Sequence, residues 1–145
     1  MHLPIVTGKL EYNFLIKNPT TGVSTTRFMI VKQPDPDGST VNLTEIINRS
    51  FAGTDVFSQR NLTHIGEYKV LVDQMYTLPP VGIQRNYQQV RGSLKLGFGS
   101  DYTGAGGSVA GLVKNSVTML FFSDIDPVAG TKIIISGQYQ LTFDA

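Results

Sequence analysis

The sequence predicts an all-β protein built as an antiparallel sandwich of two sheets. Apolar and polar residues alternate over several segments, which is the period of a strand with one buried face. Turns rich in Gly, Pro, Asp and Asn separate these segments, and the chain holds 15 Gly and 7 Pro. Its 145 residues, none of them Cys, predict one domain spanning 1–145, large enough to bury a core without a disulfide or metal.

The first predicted strand covers residues 8–17 and has the cleanest alternation in the chain. One face carries apolar side chains and the other carries polar ones, as expected for a half-exposed strand. The apolar positions are Leu10, Tyr12, Phe14 and Ile16, and the polar positions are Lys9, Glu11, Asn13 and Lys17. Residues 18–22 then read Asn-Pro-Thr-Thr-Gly, which predicts a turn.

The second predicted strand, residues 25–33, is apolar on both faces and is therefore expected between two layers. It ends in a Pro-Asp-Pro-Asp-Gly turn, because proline removes a ladder donor and glycine allows positive φ. Asn42 and Glu45 then have the spacing of a capping box and predict one short helix that includes Ile46 and Ile47. Residues 51–66 show no period and predict a long ordered loop with a use in binding or assembly.

Four later segments complete the predicted sandwich. Residues 67–78 predict a strand with Tyr68, Val70, Val72 and Tyr76 inward. Residues 88–98 predict another, in which Val90, Leu94 and Leu96 alternate with Arg91, Ser93 and Lys95. Residues 116–123 are apolar on both faces and predict a central strand. Residues 132–143 alternate again, with Ile133, Ile135, Tyr139, Leu141 and Phe143 on one face.

Most aromatic side chains are predicted to lie in the core, because they alternate with aliphatic residues along the strands. These are Phe14, Phe28, Tyr68, Phe121, Phe122 and Tyr139. The count is six clear strands and one or two weaker ones, including a short strand near residues 109–113. The glycine-rich stretch 97–111 is interpreted as a flexible connection.

No catalytic pattern is recognisable, and the protein is predicted not to be an enzyme. His64 is the internal histidine available to a catalytic triad, and no nucleophile motif accompanies it. The segment Gly106-Gly107-Ser108-Val109-Ala110 lacks the closing glycine of a nucleophile elbow. The glycine-rich stretch also lacks the Lys and the following helix of a phosphate-binding loop.

Two kinds of binding site are predicted. Arg91 and Lys95 share a strand face with Ser93, and Arg85 lies just before this strand. The row of Arg85, Arg91 and Lys95 is therefore a candidate for contacts with nucleic-acid phosphates. The alternative is an ordinary solvated face, since the net charge is only +1. Asp126 and Asp144 are the first candidates for a structural Ca²⁺ site among the turn carboxylates, which also include Asp35, Asp37 and Asp124. The alternative is that these carboxylates bond their own turns.

Three segments together resemble one protein family. They are the run from Thr26 to Phe51 with its Pro-x-Gly turn and Ile-Ile-Asn, the run Glu67–Leu78, and the closing Gly137–Ala145. Their order and spacing are similar to the coat proteins of small viruses with single-stranded genomes, namely circular single-stranded DNA viruses and plant satellite necrosis viruses. The resemblance implies an eight-stranded viral jelly roll that self-assembles into an icosahedral virion shell, for which T=1 is expected. It also implies a single-stranded genome, with DNA favoured over RNA. The basic N-terminal arm of that family is absent from this sequence.

Subunit contacts are expected in the loops 18–25, 49–66, 79–88, 97–115 and 124–131. The candidate contact residues are Phe51, Asp55, Phe57, Arg60, His64 and Tyr102. No signal peptide or transmembrane pattern is recognised, and no membrane partner is expected. The alternative function is a lectin-like, carbohydrate-binding β-sandwich with loop calcium, which predicts a monomer or small oligomer.

Overall fold

The computed structural model describes residues 4–35, 43–47, 55–64, 66–82, 85–102, 112–114, 116–125 and 132–143. Within them the chain is all-β, with two antiparallel sheets, as predicted. The strands are β1 (Pro4–Lys17), β2 (Ser24–Gln33), β3 (Lys69–Leu78), β4 (Tyr87–Tyr102), β5 (Leu112–Lys114), β6 (Ser116–Ser123) and β7 (Ile134–Phe143). One sheet has the order β5-β4-β1-β7 and the other has the order β3-β2-β6.

Three short helices accompany the strands: α1 (Leu43–Ile46) and the 3-10 helices Asp55–Phe57 and Leu62–His64. Helix α1 lies where the sequence predicts a short helix, and the predicted cap residue Asn42 lies outside the described residues. The described part of the chain contains no helix with the length and apolar character needed to cross a membrane.

The main core lies between the inner faces of the two sheets. Leu10, Tyr12 and Ile16 of β1 are buried against Phe28 and Ile30 of β2, which confirms the alternation predicted for residues 8–17. The rings of Tyr12 and Phe28 pack edge to face, with centroids 5.3 Å apart. Such an arrangement adds to the free energy of area burial by about 0.5–1.5 kcal/mol.

A second apolar cluster covers the outer face of β2. Met29 and Val31 of this strand are buried against Ile46 and Ile47, which follow one another at the end of α1. The segment is fixed by a hydrogen bond of 2.8 Å from the amide of Asn61 to the carbonyl of Ile46. The strand is therefore buried on both faces, as its sequence predicts.

The pairing of β2 with β3 corrects one prediction. Its register shifts between Ile30 and Val31, and a shift of this kind changes which face of the sheet a side chain occupies. As a result Tyr68 and Val70 pack in the outer cluster instead of the main core. Val72 and Tyr76 contact the main core as predicted.

The position of β6 corrects another prediction. Its sequence is apolar on both faces, but it forms one edge of the three-stranded sheet instead of the centre. Phe121 contacts the main core and Phe122 contacts the outer cluster. When both faces of a sheet are covered, an edge strand such as β6 has apolar residues on both faces, as a central strand does.

The predicted core aromatics are confirmed with one exception. Phe14, Phe28, Tyr68, Phe121 and Phe122 pack in one of the two clusters. Tyr139 of β7 is 59% exposed, so its assignment to the core is wrong. The strand that carries it forms an edge of its sheet, and the facing sheet does not cover the ring.

Asn18 organises the turn after β1. Its side-chain amide is buried and donates to the carbonyls of Gly22, Leu78 and Pro79 at 2.9, 3.2 and 3.1 Å. Its Oδ1 accepts from the amide of Thr20 at 3.0 Å. One side chain therefore joins the β1–β2 turn to the end of β3, and so connects the two sheets.

Candidate functional site: the outer face of the four-stranded sheet

Polar side chains from three neighbouring strands form one exposed surface, which we call the outer polar face. Its members on β1, β4 and β7 all lie on the side of the sheet opposite the core. They are Lys9, Glu11, Asn13, Gln89, Arg91, Ser93, Lys95, Gln138 and Gln140, and all are exposed. A shallow depression of about 680 Å³ crosses this face.

The strand register brings these side chains together. Asn13 stands between Arg91 on one side and Gln138 on the other. Glu11 stands in the same way between Ser93 and Gln140. Because side chains alternate along each strand, the burial of Leu10 and Tyr12 turns these polar residues outward.

The charge on the outer polar face is mainly positive. Lys9 and Lys17 of β1 lie on this face together with Arg91 and Lys95 of β4. Among the described side chains of the face, Glu11 supplies the carboxylate. Lys9 and Glu11 form an ion pair of 3.0 Å in which both side chains are half exposed. Within the described residues, neither Arg91 nor Lys95 has a carboxylate at ion-pair distance, so both cations remain available to an anionic ligand.

Amide side chains supply the rest of the binding potential of this face. Gln89 donates from Nε2 to Oδ1 of Asn13 at 2.9 Å. The Nδ2 group of Asn13 is a hydrogen-bond donor and does not take part in this bond. Amide side chains are neutral, and they can both donate hydrogen bonds to sugars and base edges and accept hydrogen bonds from them. The outer polar face therefore combines cationic groups with neutral hydrogen-bond donors and acceptors.

The predicted row of cations is only partly continuous. Arg91 and Lys95 lie on the outer face of β4, while Arg85 lies in the exposed turn before this strand, at a positive φ of 48°. Lys9 and Lys17 belong to the same face and were missed as site residues. Lys9 is the cross-strand partner of Lys95, a relation that depends on the pairing of β1 with β4.

A buried charge pair lies on the outer side of the other sheet. Arg27 donates from Nε and Nη2 to the two carboxylate oxygens of Asp73, each at 2.7 Å. Its Nη1 donates to the carbonyl of Ser58 at 2.6 Å, and its guanidinium lies 5.8 Å from the ring centroid of Phe122. The hydrogen bond from Arg27 lowers the pKa of Asp73, against the opposing effect of burial.

This pair has a structural role. It ties the segment after Asp55 to the sheet, and Arg60 adds a third contact to Asp73 at 3.3 Å. The Arg27 side chain is fully engaged by these partners, so it is not available to a ligand. The sequence placed Arg27 in a buried strand without identifying the carboxylate that neutralises it.

The calcium candidates separate into two groups. Asp126, Asp144 and Asp37 lie outside the described residues, so their predicted role is untested. Asp124 accepts from Oγ of Ser24 at 2.7 Å and from the amide of Thr25 at 3.1 Å, which makes it a cap for the start of β2. In the ranges that the structure describes, no three His, Asp or Glu side chains are close enough to hold a metal ion.

The predicted subunit-contact residues lie at several places. Phe57 is exposed at the end of a 3-10 helix, and Arg60 is exposed apart from its contact with Asp73. Asp55 begins that 3-10 helix, His64 ends the next one and Tyr102 ends β4. Phe51 lies outside the described residues.

Comparison with known proteins gives no assignment. No family model matches the chain, and no curated protein matches it significantly.

Proposed function

We propose that this protein is a viral capsid protein that self-assembles into a small icosahedral shell around a single-stranded genome. The proposal combines the resemblance of the three sequence segments with the order in which the strands pair. A second support is the outer polar face, which offers cations to a nucleic acid although the chain as a whole is nearly neutral.

The strand pairing carries the proposal. β1 pairs with β4 and with β7, while β2 pairs with β3 and with β6. Each β2 pair lies inside the corresponding β1 pair along the chain, so the two sheets arise from nested antiparallel pairs. A jelly roll is built in this way, from Greek keys wrapped into two sheets.

The nested pairs account for six strands, and an eight-stranded jelly roll needs two more. Each sheet would be extended by one strand, beside β6 in one sheet and beside β7 in the other. No described strand pairs with the free edge of β6 or with that of β7. The short strand β5 forms the opposite edge of the four-stranded sheet, where it pairs with the last residues of β4.

The outer polar face is proposed to face the genome. Arg91 and Lys95 would contact phosphates, and the amides of Asn13 and Gln138 would bond sugars and bases. Each phosphate contact on a single strand makes the negative slope of log K against log salt concentration steeper by roughly 0.7. The interaction is weak per subunit and becomes effective through the many copies of a closed shell.

A shell also needs contacts between subunits that close with point symmetry. We place these contacts in the loops, and the exposed Phe57 and Leu62 of the segment 55–64 give them apolar surface. Interface cores are depleted in charge, which agrees with a charged fraction of 16%. T=1 is the simplest closed icosahedral arrangement for one short domain.

Particle size tests the assembly. Light scattering on a gel-filtration column, followed by negative-stain imaging, is expected to show uniform particles far larger than the 15.9 kDa chain. A monomer under all conditions of salt and pH would overturn the proposal. Glycan binding by that monomer would support the lectin-like alternative instead.

Nucleic-acid binding tests the outer polar face. For a single-stranded oligonucleotide, the double variant Arg91→Gln, Lys95→Gln is expected to make the negative slope of log K against log salt concentration shallower by about 1.4, which corresponds to the loss of two phosphate contacts. The matched control is Lys69→Gln with Lys132→Gln, which removes two exposed lysines away from this face. Equal losses in both variants would show a general charge effect and would contradict the assignment of the site.

A further inference from the structure

Strand β7 carries core-type residues that the monomer leaves uncovered. Three of its side chains are cross-strand partners of buried residues on β1 and share their inner face. The partners are Leu10–Leu141, Tyr12–Tyr139 and Ile16–Ile135. On β1 these residues are 2%, 7% and 0% exposed, whereas on β7 the exposed fractions are 37%, 59% and 38%.

The edge that exposes these residues has none of the usual protection against pairing. Proteins protect edge strands with lysine, proline or very short strands. β7 (IISGQYQLTF) and its neighbour edge β6 (SVTMLFFS) contain neither a charged residue nor a proline. On the opposite side of the sandwich, the edge strand β3 carries Lys69 and Asp73, and β5 is only three residues long.

We propose that the edge of β7 is an interface between two copies of this chain, which pair β7 with β7 in antiparallel orientation about a two-fold axis at Tyr139. The inference rests on the proposed self-assembly and names a surface for it that lies outside the loops. In the pair, the four-stranded sheet continues across the axis, and the uncovered residues of each copy become part of a joint core.

The sequence of β7 is self-complementary in this register. Tyr139 meets its own copy on the inner face, and polar residues meet one another on the outer face. The pairs are Tyr139–Tyr139, Gln138–Gln140, Gly137–Leu141 and Ser136–Thr142. Aromatic pairs and hydroxyl pairs that lie directly opposite each other stabilise a sheet.

The second sheet can continue in the same way. A groove of about 340 Å³ separates the two edges, and its lining includes Phe121, Ile125, Lys132, Ile133 and Ile135. The two-fold axis that pairs the β7 strands also brings together the β6 strands of the two copies. The partner strands then occupy the two positions that complete an eight-stranded arrangement in each copy.

The size of the surface agrees with a specific interface. Ten residues of β7 extend over about 34 Å. Two stacked sheet edges are about 20 Å wide, since sheets pack about 10 Å apart. The resulting area of roughly 700 Å² on each copy is close to the roughly 800 Å² per partner of a standard interface. Main-chain hydrogen bonds supply affinity, as in other cases of strand addition.

Disulfide trapping tests the register, because the natural chain contains no cysteine. Gln138→Cys and Gln140→Cys are prepared separately, mixed and oxidised. Their mixed dimer is expected to form faster than either self-crosslink, since residues 138 and 140 face each other and only close Cβ atoms can be bridged. Gln74→Cys, at an exposed position of the edge strand β3, is the matched control.

Two outcomes overturn this part of the inference. Crosslinking of the mixture at the rate of Gln74→Cys would show that β7 is not an interface. Faster self-crosslinking of Gln138→Cys would place the axis at residue 138 and would contradict the proposed register. Far-UV circular dichroism of each variant establishes that the comparison is made between folded proteins.

A charge at the edge gives an independent test. Tyr139→Glu places a carboxylate next to its own copy across the axis and is expected to weaken association at least about tenfold, because burying an unpaired charge is costly. Met75→Glu is the matched control, since Met75 is 55% exposed in the middle of edge strand β3. Equal association of the two variants would overturn the inference.

The failure of this inference is distinguishable from failure of the capsid proposal. Shells that form normally from Tyr139→Glu would retain the capsid proposal and remove the β7 interface. Dimers that crosslink through β7 and never form larger particles would support the β7 interface and contradict the capsid proposal. A persistent monomer of the natural chain would overturn both.

Discussion

The side of the sandwich that ends in β3 differs from the side that ends in β6 and β7 in how its edge strands are charged and covered. On the side of β3, a buried Arg27–Asp73 pair and the segment 55–64 cover the sheet, and charged residues mark the edge strand. On the side of β6 and β7, both edges are uncharged, and Tyr139 is exposed although its partner Tyr12 is buried. We call these the closed side and the open side.

The difference shows that the same sequence alternation serves two purposes. On the closed side, Val72 and Tyr76 of β3 pack against the main core, and the carboxylate of Asp73 is paired with Arg27. On the open side, equivalent residues of β7 stay in contact with solvent in the monomer. Covering this surface stabilises the protein by about 25 cal/mol for each Å² of apolar area that is removed from water. The closed side therefore stabilises the subunit, whereas the open side is suited to association.

The largest effect is expected from breaking the closed side. Asp73→Ala leaves the guanidinium of Arg27 buried without its carboxylate, and loss of one partner of a buried pair costs about 3–5 kcal/mol. The free energy of unfolding from urea titration measures this loss. Glu11→Ala, in the half-exposed pair with Lys9, is the control and is expected to cost less than about 1 kcal/mol. Similar losses for both variants would show that the closed side is not specially stabilised by this pair.

The packing of β7, on the open side, against β1 is tested at Gly137, which lies opposite Phe14. This glycine has a φ of +154°, and a Cβ built there would collide with the backbone carbonyl of Asn13 and lie 2.7 Å from Cα of Phe14. Because backbone atoms cannot rotate away, Gly137→Ala is expected to cost about 1–3 kcal/mol in unfolding free energy. Gly22→Ala is the control, since no atom lies within 4 Å of its added methyl group. An unchanged stability of Gly137→Ala would mean that β7 is docked less tightly than the register indicates.

Acid is expected to weaken the closed side by a smaller amount. The folded-state pKa of Asp73 is lowered from 3.8 by the hydrogen bond from Arg27. A lowered pKa means that the carboxylate contributes stability above pH 3.8, and that this contribution is lost as the pH falls below 3.8 through the folded-state pKa. The thermal midpoint of the natural chain should therefore fall more steeply over that interval than the midpoint of Asp73→Asn. Parallel curves for the two proteins would contradict the assigned cause.

Much of the fold could be predicted from the sequence, because strand periodicity is a local property. The alternation from Lys9 to Lys17 correctly separated the inner from the outer face of β1, and the uninterrupted apolar run of β2 correctly indicated burial on both faces. The outer polar face was predictable in the same way for Arg91 and Lys95. Joining these cations to Lys9 required the pairing of β1 with β4, which no local pattern contains.

The errors have the same origin. β6 reads as a central strand because both of its faces are apolar, and the position of a strand within its sheet leaves no mark on its own sequence. Tyr139 reads as a core residue because its neighbours alternate correctly. The faces of β3 were misassigned at Tyr68 and Val70 because the register shift opposite Ile30 arises from pairing.

By itself, the sequence determined the all-β class, the strands and the face of most side chains, because each depends on residues within a few positions of one another. The tertiary structure alone decided which strands are edges, which carboxylate neutralises Arg27, and which apolar residues of β7 remain uncovered. These properties depend on contacts between residues far apart in the chain, such as the 46 positions that separate Arg27 from Asp73. Long-range pairing therefore distinguishes the side of this sandwich that is closed from the side that is open.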